Sequence, residues 1–195
     1  MTPFTTLSGI AAPLLADNID TDTIIPSREM KSTGRTGLAD GLFAPWRYTE
    51  GRTPDPAFVL NQPAYATAQI IAGGGNFGCG SSREHAVWAL AEYGIRCVIA
   101  PGFAPIFAAN CIRNGLLPLV LPRDAVEAVA GRAVQIDLAA QTLRCGTDSY
   151  TFAIEAEAKD MLLEGLDAID LTLKSRAAIS AWTTADRAAR PWIYL

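Results

Sequence analysis

Two hydroxyls, a guanidinium and the chain's single imidazole stand close together at Ser81, Ser82, Arg83 and His85. They follow glycines at 73, 74, 75, 78 and 80 and directly precede the apolar run AVWAL. Glycine lets the main chain take conformations other residues avoid, so a ligand can approach the backbone closely. Ser81 or Ser82 suits a helix N-cap, with Glu84 two or three residues on, as in a capping box. The first turn of such a helix carries N–H groups without intrahelical partners and a partial positive charge, which suit an anion. Arg83 adds a planar fork that matches a carboxylate or a phosphate. The chemistry on offer is an anion-binding cradle with a hydroxyl inside it. The competing reading is a glycine turn that only starts a helix, with a serine that only caps it.

Neither the P-loop pattern GxxxxGKS/T nor the GxSxG of a nucleophile elbow is present. Cys79 and His85 suggest a thiol with its base, but the spacing supplies no third, orienting group. A histidine satisfied on a helix face and a thiol packed in the turn are the alternative. Cys79, Cys97, Cys111 and Cys145 contain no CxxC pair, and three of them lie in or beside apolar runs. They are expected to be free thiols in a reducing compartment, the cytoplasm, and no metal is expected on this chain alone.

Several elements must position the cradle. Residues 1–26 suggest an entry strand and turn closing on DNIDTDTIIP. Residues 27–56 are rich in Gly, Pro, Arg and Thr with weak periodicity, which predicts a long, mobile loop with one short helix. AFVL (57–60) and AQIIAG (68–73) are short apolar runs flanked by Gly and Pro, and are expected as buried strands. A helix is predicted from Ser82 to Tyr93, stopped by Gly94. RCVIA and LLPLVL read as strands on either side of a helix in which Phe103, Ile106, Phe107, Asn110 and Cys111 recur at helical spacing. RDAVEAVAG gives a short helix, and residues 134–154 alternate like an antiparallel pair or meander. KDMLLEGLDAIDLTL and SRAAISAWTTADRA predict a C-terminal helical arm ending in RPWIYL. Strand–helix alternation with an antiparallel addition is an α/β pattern, and 195 residues suit one domain, 1–195.

Half of the residues are hydrophobic, enough for a buried core. A net charge of −4 from 16 basic and 20 acidic residues, with no basic block, argues against nucleic acid. No apolar run approaches the ~20 residues that span a bilayer, and the N-terminus has no basic residue ahead of its apolar part, unlike a signal peptide.

NFGCGSSREHAVWAL resembles the signature of the aconitase superfamily's swivelling domain. DNIDTDTIIP, GLFAPWRY, FVLNQPAY, YGIRCVIAPGFAPIFAANCIRNGLLPLVL and LLEGLDAIDLTL follow in order at family-like spacing. Over most of its length the chain is similar to small subunits of 3-isopropylmalate dehydratase. The resemblance implies a three-layer β/β/α swivelling domain working with a large subunit that carries a [4Fe–4S] cluster. It implies conversion of 2-isopropylmalate to 3-isopropylmalate through 2-isopropylmaleate, in leucine biosynthesis, at a site on the subunit interface. By resemblance Ser81 is the base, acting as an alkoxide. Arg83 holds a carboxylate of the dicarboxylate substrate, Ser82 adds a contact, and Asp22 matches an active-site aspartate. For Asp22 a turn aspartate bonded to local N–H groups is the alternative. Aconitases carry serine where Ile25 stands, and their second carboxylate-binding arginine falls in the weakly matching segment 27–37. Lys31, Arg28 and Arg35 are the candidates for it. An apolar change near there would suit an isopropyl arm.

Related hydro-lyases acting on homologous or methyl-substituted malates would use the same base and clamp. A phosphate-binding module lacks its lysine and its acidic ribose contact. A pure scaffold would tolerate loss of Ser81 and Arg83.

Overall fold

The computed structural model describes residues 1–30 and 34–194. Its frame is a seven-stranded sheet in the order β4-β3-β2-β1-β5-β6-β7. β1 (Thr6–Leu14), β2 (Ile70–Gly73), β3 (Cys97–Ala100) and β4 (Leu117–Val120) run parallel. β5 (Ala133–Asp137), β6 (Thr142–Cys145) and β7 (Asp148–Thr151) form an antiparallel meander, as residues 134–154 predict. β1 joins the two parts: Ala11–Leu14 pair with β2, and Thr6–Ile10 pair with β5.

Successive side chains of a strand point to opposite faces, and the parallel strands use both. Ala11, Ile70, Ala72, Cys97, Ile99, Leu117 and Leu119 pack with Val134, Ile136, Leu143 and Cys145 of the meander. The sheet therefore curls over so that its two parts face one another. Ala12, Leu14, Ile71, Val98 and Ala100 point the other way, against α3 (Glu84–Tyr93) and its neighbours. The sheet is thus two β layers with a helical layer on one side, the β/β/α order that the resemblance implies. α5 (Arg123–Val129) and α6 (Ala156–Glu164) close the core between the β layers through Val126, Val129 and Leu162.

The one short helix expected in segment 27–56 is α2 (Ala44–Arg47), but the described part of the segment around it is built of 3-10 turns and packed on the core. These turns lie at Ser27–Glu29, Ala39–Gly41 and Glu50–Arg52. Leu38, Leu42 and Phe43 are fully or almost fully buried in the main core. Arg52 spans Glu29 and Asp40 and ties the segment together from outside. AFVL is likewise no strand. Phe58 and Leu60 are buried at a 3-10 turn over Val59–Asn61 that packs on the main core. The expected helix over 159–173 is two helices, α6 and α7 (Ala168–Leu173). Gly165, at φ +72°, breaks them and Asp167 starts the second with a capping box. α8 (Arg176–Ala189) follows and buries no residue. Among the described residues no helix is long and apolar enough to cross a membrane.

Candidate active site

β2 ends at Gly73, and the chain then crosses the end of the parallel sheet before entering α3. Every stage of that crossing is bonded to another part of the molecule. The Gly75 N–H donates to Asp17 (2.6 Å), whose carboxylate also pairs with Arg123. The Arg123 hydrogen bond, helped by the Gly75 N–H, holds the Asp17 carboxyl below the usual carboxylate range. Phe77 exchanges backbone bonds with Gly102 and Ala104 on the β3–α4 connection (3.0 Å each), where α4 is Pro105–Arg113. Gly78 N–H donates to Ile19 (2.7 Å), and Cys79 accepts from Thr21 N–H (2.8 Å). Gly78 sits at φ +76° with its Cα against the Phe107 ring, so no side chain fits there.

Ser81 is held by its carbonyl, which accepts from the buried Thr21 hydroxyl (3.0 Å) and from Arg83 N–H (2.7 Å). The seryl hydroxyl itself stays exposed. The expected N-cap does not form. α3 begins at Glu84, Arg83 is its flanking residue, and no side chain accepts from its first turn. The reason is that both Ser81 carbonyl bonds fix a tight turn one residue too early for either serine to reach the helix. Glu84 makes no capping box; its carboxylate accepts from Asn114 Nδ2 (2.8 Å). The Ala86 N–H donates to the Arg83 carbonyl (3.2 Å), which leaves the Glu84 and His85 N–H groups of the first turn to solvent or an incoming anion.

A cleft of about 200 Å³ is lined by Thr21, Gly78, Gly80, Ser81, Ser82 and Arg83 on one side. Ala104, Pro105, Ile106, Phe107 and Asn110, at and in α4, form the other. Arg83 is three-quarters buried and pairs with Asp22 in α1 (Thr21–Ile24). The structure thus brings Ser81, Ser82, Arg83 and Asp22 together. The turn-aspartate role belongs to Asp20, whose carboxylate accepts from Thr23 N–H (2.6 Å) and caps α1.

Neither Arg28 nor Arg35 of segment 27–37 lines this cleft. Arg28 lies beside Glu29 and lines a separate cleft with Tyr48 and Arg52. Arg35 does not join Ser81 either, since its guanidinium lies 5.1 Å over the Trp88 ring, a favourable cation–π seat in a groove with Glu84, Arg113 and Asn114. Lys31 lies outside the described residues. Ile25 is fully buried, so its apolar character serves the core rather than the cleft. His85 packs its ring on Trp88, with centroids 4.7 Å apart, and no hydrogen bond joins it to Cys79 among the described residues. The four cysteines are free, and burial pushes the Cys97 and Cys111 thiols far above their usual range.

Two residues escaped the sequence reading of the site. Thr21, fixing the Ser81 carbonyl, carries no local signal, because Asp20, Asp22 and Thr23 beside it are just as polar. Asn110 was visible as the one amide in the apolar stripe of α4, which should have marked it.

Residues 1–124 match the aconitase C-terminal domain. The 3-isopropylmalate dehydratase small subunit of Cupriavidus necator is 57% identical, over 100% of this chain and 99% of that one. That of Azorhizobium caulinodans is 50% identical over 99% and 100%. This chain belongs to the family of 3-isopropylmalate dehydratase small subunits. The crystal structure of a 3-isopropylmalate dehydratase from Methanocaldococcus jannaschii superposes with a TM-score of 0.69 at 30% identity, covering 91% of this chain and 99% of its own. The family is one of hydro-lyases, and membership as a small subunit implies a large-subunit partner.

Proposed function

We propose that this small subunit interconverts 2-isopropylmalate and 3-isopropylmalate through 2-isopropylmaleate, at a site completed by the large subunit and operating in the cytoplasm. The observation that carries the reading is the exposed Ser81 hydroxyl on a loop bonded along its length, sharing a cleft with an aspartate-paired arginine.

Ser81, as alkoxide, takes the proton from the carbon next to the one bearing the hydroxyl. The C–H electrons become the new double bond as hydroxide departs, and Ser81 is then neutral. Rehydration in the opposite sense returns the proton to the other carbon and regenerates the alkoxide. An alkoxide needs compensation, and the uncapped first turn of α3 with the nearby Arg83 supplies it. Arg83 binds a substrate carboxylate through its fork, Asp22 keeps that fork oriented, and Ser82 adds a polar contact. The apolar wall at Ala104, Pro105, Ile106 and Phe107 suits an isopropyl arm, which favours this substrate over the methyl-substituted malates. The [4Fe–4S] cluster of the family belongs, in this reading, to the large subunit. Among the described residues no three His, Cys, Asp or Glu side chains converge to hold a metal.

Turnover of 2-isopropylmalate by the chain mixed with cluster-loaded large subunit tests this. Ser81→Ala should lower kcat by about 10²–10⁴-fold, the worth of a positioned base. Full activity in that variant would move the base to the partner.

A further inference from the structure

Among the described residues, Thr21 and Asn110 are the buried polar ones. The Thr21 hydroxyl is committed to Ser81. Asn110 is 7% exposed, and its backbone carbonyl accepts from Asn114 N–H and Asn114 Nδ2 (3.2 and 2.8 Å). Its side-chain amide has no hydrogen-bond partner among the described residues. Yet the described residues contain no unpartnered side-chain nitrogen or oxygen sealed from solvent. The amide therefore keeps an opening, and the cleft that Asn110 lines with Ser81, Ser82 and Arg83 is where it opens.

Asn114, one turn further along α4, shows what a structural asparagine looks like. It accepts from Trp88 Nε1 (3.0 Å) and donates to Glu84 (2.8 Å) and to the Asn110 carbonyl. Asn110 has none of this, although its neighbours Phe107 and Cys111 are apolar and buried. A side chain like leucine would pack at such a position without a desolvation penalty. Function explains an amide kept there.

We propose that the Asn110 carboxamide binds the substrate, its Nδ2–H donating to a free lone pair of the carboxylate that the Arg83 fork holds. This rests on the dicarboxylate reading of the cleft. A neutral donor suits the position, since a second cation would compete with Arg83 for Asp22, and a carboxylate would repel the substrate.

Asn110→Leu and Asn110→Asp, each assembled with the large subunit, test it through kinetics, calorimetric binding of 2-isopropylmalate and thermal melting of the full chain. In Asn110→Leu, KM and Kd should rise about tenfold or more, as for a lost bond to a charged group, with kcat changed by less than about threefold. Its Tm should stay level or rise. Asn110→Asp should weaken binding further. Unchanged KM and Kd in Asn110→Leu would overturn the proposal, and so would a falling Tm with kcat lost in both variants, the mark of a structural amide. A wild-type complex that binds 2-isopropylmalate without turning it over sinks the reaction assigned above, and the Kd ratio still judges Asn110. A wild-type complex that does not bind it overturns both.

Discussion

The loop at 75–83 and the arm at 167–194 are both rich in small, hydroxyl and charged residues, yet the molecule treats them oppositely. The loop gives its hydrogen bonds to distant parts of the chain: to Asp17, Ile19, Thr21, Gly102 and Ala104. The arm gives nearly all of its bonds to itself. Asp167 and Asp170 cap α7 reciprocally, Thr183 and Thr184 bond back into α8, and Arg190 and Tyr194 both reach Asp186. Lys174 with Glu164 (2.5 Å) is the tie to α6. Trp182 and Trp192 remain 61% and 66% exposed. Polar groups satisfied across the fold fix a backbone in one conformation, whereas groups satisfied locally leave an element independent of the body. Catalytic geometry can be built on the first arrangement and not on the second.

The comparison breaks most visibly at Gly78. An alanine there needs a left-handed backbone, worth about 1–2 kcal/mol, and drives its methyl into Phe107, worth a further ~1–3 kcal/mol. Gly78→Ala should lower Tm by about 10 °C in a melting experiment; an unchanged Tm would mean the loop is looser than its bonds imply. Next in size is Arg83→Lys, which keeps charge and loses the fork. We expect kcat/KM of the assembled enzyme to fall about 10²-fold with Tm unmoved.

Thr21→Val should cost about 1 kcal/mol in stability, one buried hydrogen bond, together with a several-fold loss of kcat, and Thr21→Ser should restore both. Equal loss in the serine variant would argue against the hydroxyl. Smaller again is the effect of Glu92, which anchors the far end of the segment at 37–39. Partial burial pushes its carboxyl up, but N–H groups of Gly37, Leu38 and Ala39 (2.6–2.9 Å) outweigh this and hold it below the usual range. A depressed folded pKa stabilises above the unfolded value, about 4.3, and is lost as pH falls through the folded one. Glu92→Gln should therefore melt earlier at pH 7, and the deficit should vanish in acid; a deficit independent of pH would deny the carboxylate its role. The smallest effect belongs to the arm. Removing residues 175–195 should change stability by no more than about 0.5 kcal/mol, and a Tm drop beyond about 5 °C would show that the arm braces the body.

The strands at 70–73, 97–100 and 117–120, the meander and α4 were legible because their apolar periodicity is local. The 34–56 segment was not. Its Leu38, Leu42 and Phe43 lie among glycines and prolines without a period, and only the surrounding core gives them a place. At the site, Ser81, Ser82 and Arg83 stood out through residue type and spacing. The capping expectation failed because Thr21, sixty residues away, holds the Ser81 carbonyl and sets where the helix begins.

By itself the sequence determined the α/β pattern, the family and the serine–arginine cradle, since each is written in runs of neighbouring residues. Only the tertiary structure decided that Asp20 caps while Asp22 orients Arg83. It alone placed Arg35 on Trp88 and outside the cleft, and left the Asn110 amide open beside Ser81. Those outcomes depend on which charges and amides meet across the fold, and a hydrogen bond between distant residues leaves no spacing in the chain to read.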